Sequence, residues 1–239
     1  IAFLESIFSK TKSFSLKTYN VYKLNKLNFF FKKIFKNNIN SQVLFSSVVP
    51  PAYNKIKSFL KKKKFKVFEI KSLEIKKLIK IKIMNYNQLG SDRIVNAIAT
   101  KKYKNSIVID FGSATTFDII KNGIYEGGVI APGVDLSIIN LSRSTALLPL
   151  ITLRKNQNNY GKNTFEALNA GFLWGYEGLI NNIINKISLK SKTRYKIILT
   201  GGYAKLFKRF IKKKSTIDQN ITIKGIAKVY KDLICPKKN

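Results

Sequence analysis

Carboxylates, hydroxyls and glycines crowd into one short segment, VIDFGSATTFDIIKNGIYEGGVIAPG, which covers residues 108–133. The whole chain has only 12 acidic residues, and Asp110, Asp118 and Glu126 all lie in this segment. Carboxylate oxygens can bind a cation, hydroxyls can hydrogen-bond a ligand, and glycine lets the backbone approach one closely. The pattern is typical of a ligand site. A tight strand turn followed by a hairpin that carries threonines is the structural alternative.

A second group of candidates lies in the segment GSDR at 90–93. The chain has no histidine, so a general base that works near neutral pH would be a carboxylate, with a lysine of lowered pKa as the other candidate. Asp92 is one such carboxylate. On spacing alone a structural role is favoured, in which Ser91 or Asp92 caps the start of a helix and Arg93 lies on the surface.

Two shorter motifs carry weaker signals. Thr164, in the segment GKNT, could cap the start of a long helix with Glu166 in its first turn, or it could contact a ligand. Gly201 and Gly202, in the segment TGG, end a predicted strand before a helix. Such a glycine turn suits contact with an adenosine or a phosphate, although one motif of this kind carries little weight alone.

Composition sets the class of protein that must position these residues. A chain of 239 residues with 45% hydrophobic and 12% aromatic residues can bury a core, which excludes a disordered tail. No run of 18 apolar residues and no signal-peptide pattern is found, so neither a membrane span nor secretion is predicted. The one cysteine, Cys235, cannot form an internal disulfide, which favours a cytoplasmic location.

The formal net charge of +33 raises the question of a nucleic-acid partner. Only five of the 45 basic residues are arginine, the better ligand for phosphates and bases. The excess of lysine, asparagine, isoleucine and phenylalanine is the set that A and T rich codons favour. We therefore expect solvated lysine faces and no specific nucleic-acid partner, with a selected surface for polyanions as the alternative.

Apolar patterning predicts an α/β protein in which strands and helices follow a repeating order. Predicted strands cover 12–19, 41–51, 65–70, 106–112, 114–120, 124–131 and 195–202, and predicted helices cover 21–36, 52–63, 91–102, 134–145, 164–190, 203–213 and 222–233. Both halves of the chain fit the order of three strands, helix, strand and helix. This repetition predicts two domains, at 1–105 and 106–239. The last helix can pack on the first domain.

Six motifs in register resemble the type III pantothenate kinase family. They are SSVVPP at 46–51, LGSDRIVNAIA at 89–99, VIDFGSATTFDII at 108–120, YEGGVIAPG at 125–133, GKNTFEALNAG at 161–171 and LTGGYA at 199–204. The resemblance covers nearly the whole chain. It implies two ribonuclease H-like domains of the actin-like ATPase fold, with mixed sheets and a cleft between them.

The resemblance also implies an activity and a role for each candidate residue. The family phosphorylates pantothenate with ATP, accompanied by Mg²⁺, in the first step of coenzyme A biosynthesis, and it acts as a homodimer. By resemblance, Asp92 is the proton acceptor and Asp110 binds a monovalent cation, potassium or ammonium. The substrate-binding residues are Gly90, Ser91, Asp92, Arg93 and Thr164, and the ATP-binding residues are Gly112, Ser113, Thr115, Gly201 and Gly202.

The chain departs from the family pattern at its start. The family has an Asp-x-Gly-Asn-Thr phosphate loop ahead of the position of Ile1. We therefore expect that the sequence is a fragment or that its start is misplaced, and that a protein beginning at Ile1 is nearly inactive. The family tyrosine seven residues before Gly90 is replaced by Ile83, with Tyr86 close by. Two alternatives stay open at this point: another small-molecule kinase of the same fold, and an impaired regulatory or nucleic-acid-associated homologue.

Overall fold

The computed structural model describes residues 18–35, 42–47, 49–155 and 159–235. The helices are α1 (Leu24–Phe35), α2 (Pro50–Lys62), α3 (Ser91–Thr100), α4 (Val134–Arg143), α5 (Thr164–Ser191), α6 (Ala204–Phe207) and α7 (Ile221–Val229). The strands are β1 (Gln42–Phe45), β2 (Lys66–Glu69), β3 (Ser106–Phe111), β4 (Ala114–Lys121), β5 (Ile124–Pro132), β6 (Lys196–Gly201) and β7 (Ser215–Ile217). The predicted α/β class is confirmed.

The described residues divide into two compact units. The first unit contains the described residues up to Ala99 and from Asn220 onward. The second unit contains the described residues of Thr100–Gln219. None of the described helices is both long enough and apolar enough to cross a membrane.

In the first unit, helices α1 and α2 pack on a parallel pair of strands. β1 pairs with β2, with Val43 opposite Val67. Leu27, Ile56 and Leu60 are buried, and the rings of Phe31 and Phe59 stack at 5.3 Å. These apolar contacts give the unit its own hydrophobic core.

Helix α7 also belongs to the first unit and packs closely on α3. A Cβ atom at Gly225 would lie 2.0 Å from the backbone oxygen of Val95, so only glycine allows this separation of the two helices. Beside it, Thr222 Oγ1 donates a hydrogen bond of 2.8 Å to Oδ1 of the buried Asn96. The position of α3, and of the residues in its first turn, therefore depends on the contact with α7.

The second unit is built on a five-stranded mixed sheet with the order β5-β4-β3-β6-β7. β4 is antiparallel to both of its neighbours, β3 and β5, whereas β6 is parallel to β3 and β7 is parallel to β6. The sequence of β3, SIVIDF, is almost continuously apolar because the strand is buried on both faces. Asn122 and Gly123 join β4 to β5, and both have the positive φ that a two-residue hairpin turn of type I′ requires.

One face of this sheet forms the core of the second unit. Ile109 and Phe111 of β3 pack there with Leu173 and Ile180 of α5 and with Phe207 of α6. The rings of Phe111 and Phe207 stack at 5.5 Å. This stacking lies at the end of β3 and fixes the point from which the next turn leaves the sheet.

Several predicted boundaries were wrong for local reasons. The strand predicted over 41–51 stops at Phe45, because Pro50 and Pro51 begin α2 instead of ending a strand. The helix predicted over 203–213 is only α6 and a 3-10 turn, and β7 was missed because three residues show no periodicity. Of the strand predicted over 12–19, residues 12–17 lie outside the described ones, and Thr18–Tyr22 is a 3-10 helix.

The contact between α7 and α3 predicts that Gly225→Ala lowers the thermal unfolding midpoint by about 5 °C, because the new methyl group would force the helices apart. Gly178→Ala is the matched control, since nothing lies within 4 Å of a Cβ at this exposed position of α5. The control should raise the midpoint by about 2 °C through better helix propensity. Differential scanning calorimetry measures both, and equal midpoints for the two variants would contradict the close-packing account.

Candidate functional site

The parallel pairing of β3 with β6 places two of the candidate motifs side by side. Asp110 lies opposite Thr200, and Phe111 lies opposite Gly201. Both strands end at this edge of the sheet, so the turn after Phe111 and the turn after Gly201 are neighbours. The carboxyl ends of parallel strands are where α/β proteins commonly bind their ligands.

Gly201 makes a close approach to the end of β3. Its φ is +85°, and a Cβ atom here would lie 2.6 Å from Asp110 Oδ1 and 2.5 Å from the backbone oxygen of Phe111. The next residue, Gly202, donates its backbone N–H to the same Phe111 oxygen at 3.0 Å. Hard oxygens therefore border the space that a side chain at Gly201 would fill, and such oxygens fit a bound cation.

The turn between β3 and β4 carries Gly112 and Ser113, and both are exposed. Gly112 donates its N–H to the oxygen of Ala114 at 3.1 Å, which makes the turn tight. Behind the turn, a Cβ atom at Gly133 would lie 2.1 Å from the backbone oxygen of Ser113. The start of α4 is therefore packed directly against the turn, and the Ser113 hydroxyl can meet a ligand from solvent.

The two threonines of β4 lie on opposite faces of the sheet. Thr115 is opposite Phe111 and Ala131, two core residues, and it is fully buried. Within the described residues its Oγ1 has no hydrogen-bond partner. The structure thus places Thr115, a predicted ATP-binding residue, on the core face.

Thr116 and Thr200 are the hydroxyl residues that share a face with Asp110, because each lies directly opposite it in a neighbouring strand. The predicted ATP-binding residues included Thr115 but neither of these two threonines. The sequence carried no signal for this placement, because a two-residue turn at Gly112 and Ser113 would set Asp110 opposite Thr115, whereas the strands pair with Phe111 opposite Thr115 and Asp110 opposite Thr116.

The segment Gly90–Arg93 forms the start of α3 in the first unit. The helix begins at Ser91, and the Gly90 oxygen accepts the first helical bond, from Ile94 N at 3.2 Å. Asp92 is half-buried, and its Oδ1 accepts the backbone N–H of Arg93 at 2.8 Å. The Asp92 carboxylate therefore stabilises the first turn and still has a second oxygen for other chemistry.

Ser91 does not cap the helix in the expected way. Its side chain is fully buried; its hydroxyl donates to the Ser47 oxygen at 3.0 Å and accepts from the Ser46 hydroxyl at 3.1 Å. These bonds tie the start of α3 to the segment between β1 and α2. Ser91 therefore holds Asp92 in place within the first unit.

Thr164 lies at the first position of α5, in the second unit. The cap is Asn163, whose side chain accepts the N–H of Glu166 at 3.0 Å, so the alternative of Thr164 as the cap is wrong. The exposed Thr164 borders a cavity of about 410 Å³ lined by Leu141, Leu148, Thr164, Ala167, Leu168, Gly171 and Phe172. One hydroxyl on an apolar wall suits a small ligand that is mostly aliphatic.

A tyrosine and a carboxylate also meet beside the glycine turn, and sequence analysis did not single them out. The Tyr203 hydroxyl donates a hydrogen bond to Oδ1 of Asp135, in the first turn of α4. Burial, together with this hydrogen bond, raises the pKa of the Tyr203 phenol well above its ordinary value. The phenol therefore stays protonated, and remains a donor, throughout the neutral range.

The candidates thus fall into three groups, each described within its own unit. Asp110, the Gly112–Ser113 turn and the Gly201–Gly202 turn lie together at one edge of the second unit's sheet. Thr164 lies beside its apolar cavity at the start of α5. Gly90–Arg93 form the first turn of α3 in the first unit.

The sequence is similar to those of known proteins over most of its length. A model of the type III pantothenate kinase family matches residues 5–186. A type III pantothenate kinase from Pelagibacter ubique is 51% identical over 193 residues, which are 80% of this chain and 77% of that protein. Another from Sulfurihydrogenibium sp. is 37% identical over 207 residues, which are 84% of this chain and 79% of that protein.

A solved structure supports the fold. A protein from Campylobacter jejuni, assigned to the Baf family of transcriptional activators, superposes with a TM-score of 0.58 at 23% identity, over 84% of this chain and 87% of that chain. At this identity the likeness concerns the fold alone.

The close approach at the end of β3 predicts that Gly201→Ala destabilises the protein by about 2 kcal/mol, because the methyl group meets two oxygens and the positive φ strains alanine. Gly202→Ala is the matched control, since nothing lies within 4 Å of a Cβ there and its φ is not positive. Urea unfolding, followed by circular dichroism, measures both midpoints. If the urea midpoint of Gly201→Ala were no lower than that of Gly202→Ala, the close approach would be disproved.

Proposed function

Since the chain belongs to the type III pantothenate kinase family, we propose that it phosphorylates pantothenate with ATP. The products are 4'-phosphopantothenate and ADP, and the reaction is the first step of coenzyme A biosynthesis. The observation that carries the proposal is the pairing of β3 with β6, which brings Asp110, the Ser113 turn and the Gly201–Gly202 turn to one edge. Backbone N–H groups and hydroxyls in glycine turns are the usual ligands of nucleotide phosphates.

The transferred group moves between two oxygens. The primary hydroxyl oxygen of pantothenate bonds to the γ-phosphorus of ATP while the bond from that phosphorus to the bridging oxygen of ADP breaks. The hydroxyl proton passes to the Asp92 carboxylate, which acts as general base. Mg²⁺ bound with ATP neutralises part of the phosphate charge.

The nucleotide contacts are assigned to the second unit. The exposed Ser113 offers a hydroxyl, and Gly112, Gly201 and Gly202 let a phosphate or the adenosine approach the backbone. Thr115 supports this turn from the core side, where its side chain is fully buried.

The acceptor contacts are assigned to Thr164 and to the first turn of α3. Pantothenate carries two methyl groups on the carbon beside its primary hydroxyl, and the aliphatic wall of the cavity beside Thr164 suits them. Gly90 and Arg93 flank the base, and a guanidinium matches the carboxylate of pantothenate. Ser91 contributes through the hydrogen bonds that hold the turn.

A cytoplasmic location completes the proposal. Cys235 is free and exposed, which suits a reducing compartment.

Replacing the base tests the reaction. In the full-length protein, Asp92→Asn should lower kcat at least ~100-fold, because the amide cannot take the proton. The amide oxygen can still accept the Arg93 N–H, so circular dichroism and the thermal midpoint should match the parent. ADP release in the presence of pantothenate measures the rate.

Glu74→Gln is the matched control for this variant, since Glu74 is an exposed carboxylate whose side chain pairs with Lys77. Its kcat should equal that of the parent. A kcat for Asp92→Asn within a few-fold of the control would exclude Asp92 as the base.

Because Asp110 is proposed to bind a monovalent cation, we expect the rate of the reaction to depend on which monovalent cation is present. Rates should be higher in potassium or ammonium chloride than in sodium chloride, because hard oxygens near Gly201 favour a particular ion size. Potassium should also raise the thermal midpoint more than sodium does, and Asp110→Asn should remove that difference. Equal rates and equal midpoints in all three salts would contradict a cation role for Asp110.

We assign a homodimer as the functional assembly, with α5 as its interface. Several large apolar side chains on and near α4 and α5 are exposed, namely Leu136, Leu141, Leu147, Phe165 and Trp174. Exposed apolar surface of this kind is typical of a protein interface.

Sedimentation velocity tests the dimer. The parent should sediment as a dimer, and Trp174→Glu should shift it toward monomer, because a charge would be buried at the interface. Leu24→Glu, at an exposed apolar position of α1 in the first unit, is the control and should stay dimeric. A monomeric parent, or a Trp174→Glu variant as dimeric as the control, would contradict this interface.

A further inference from the structure

Two glycine turns and the start of α4 are neighbours at the edge of the second unit's sheet, and one exposed hydrogen bond connects them. Tyr203 follows the Gly201–Gly202 turn, and its hydroxyl donates to Asp135, 68 residues away in sequence. Asp135 is exposed and Tyr203 is half-buried. The bond therefore joins the turn after β6 to the start of α4.

The Tyr203 end of this bond is held by aromatic packing. Its ring centroid lies 6.2 Å from that of Phe207, which is fully buried and stacks on Phe111 at 5.5 Å. The phenol ring therefore has a fixed anchor in the core of the second unit.

The Asp135 end is held by the turn after β3. A Cβ atom at Gly133 would lie 2.1 Å from the Ser113 oxygen and 2.8 Å from the Gly112 oxygen. Asp135 follows this contact by two residues, in the first turn of α4. A bond from Tyr203 to Asp135 thus connects the Gly201–Gly202 turn, through α4, to the Gly112–Ser113 turn.

A different tyrosine holds the same helix without reaching the glycine turns. Tyr176 OH and Ser137 Oγ are hydrogen-bonded at 2.8 Å, and Tyr176 OH also donates to the Pro132 oxygen at 3.3 Å. The Tyr176 ring packs on Phe207 at 5.8 Å, as the Tyr203 ring does at 6.2 Å. Tyr176 therefore offers a matched control in the same aromatic cluster.

We propose that Tyr203 and Asp135 form a positioning pair that holds the Gly201–Gly202 turn and the Gly112–Ser113 turn at the separation that ATP phosphates require. The inference rests on the nucleotide role assigned to these turns in the proposed function. Neither side chain takes part in proton transfer. Loss of the pair weakens binding of ATP and leaves the affinity for pantothenate unchanged.

Direct binding of Mg²⁺-ATP to the full-length protein, measured by isothermal titration calorimetry without pantothenate, tests the pair. Tyr203→Phe and Asp135→Ala should each raise the Kd about 10-fold, the scale of one lost hydrogen bond to a charged group. The double variant should be no weaker than either single one, because both remove the same bond. Asp135→Asn keeps an acceptor oxygen and should recover part of the affinity.

Tyr176→Phe is the control and should bind Mg²⁺-ATP within about 2-fold of the parent, since its hydroxyl does not touch the glycine turns. In steady-state assays, Tyr203→Phe should raise the KM for ATP about as much as the Kd, with the KM for pantothenate unchanged. If Tyr203→Phe fails to fold, Asp135→Ala, a change at an exposed position, decides the question.

The positioning role would be overturned if Tyr203→Phe or Asp135→Ala bound ATP as tightly as Tyr176→Phe does. It would also be overturned if the losses of ATP affinity in the two single variants added up in the double variant. A parent that binds no ATP would overturn it as well. A parent that binds ATP in the predicted pattern but does not phosphorylate pantothenate would support the pair while contradicting the proposed reaction, so the two failures are distinguishable.

Discussion

The candidate nucleotide site depends on the parallel pairing of β3 with β6. Because the register sets Phe111 opposite Gly201, both strands end together and the two glycine turns become neighbours. The pairing in turn requires Gly201, since any side chain there would meet Asp110 and the backbone of Phe111. The close approach of the Gly201 backbone to the end of β3 therefore sets the strand register and the position of the Asp110 carboxylate, and it leaves the two turns open to a ligand.

A comparable constraint governs the first unit. The glycine at Gly225 lets α7 lie against α3, and the buried hydroxyl of Ser91 ties the start of α3 to the segment after β1. Asp92 therefore lies on a helix that is held at its start and along its length. The base role proposed for Asp92 requires a carboxylate held to well under an ångström, and packing of this kind supplies that rigidity.

Strong local patterns made most of the second unit predictable from sequence. The strands β3, β4 and β5 and the long α5 were all predicted, because the apolar pattern that indicates each of them lies within the element itself. The rest depended on tertiary contacts. β7 is a three-residue edge strand that exists through its pairing with β6, and the Tyr203–Asp135 bond joins residues that are remote in sequence. Likewise, the sequence predicted Thr115 as a site residue, and only strand register placed Thr116 with Asp110.

In the proposed reaction, these elements transfer a phosphoryl group from ATP to one hydroxyl of pantothenate. The most direct measurement is phosphorus NMR of a reaction containing the full-length protein, ATP, Mg²⁺, potassium and pantothenate, with the product identified by mass spectrometry. The proposed reaction yields a phosphate monoester on the primary hydroxyl of pantothenate, formed in equal amount to ADP. ADP accompanied only by inorganic phosphate, or no reaction with pantothenate while another small alcohol is phosphorylated, would contradict it.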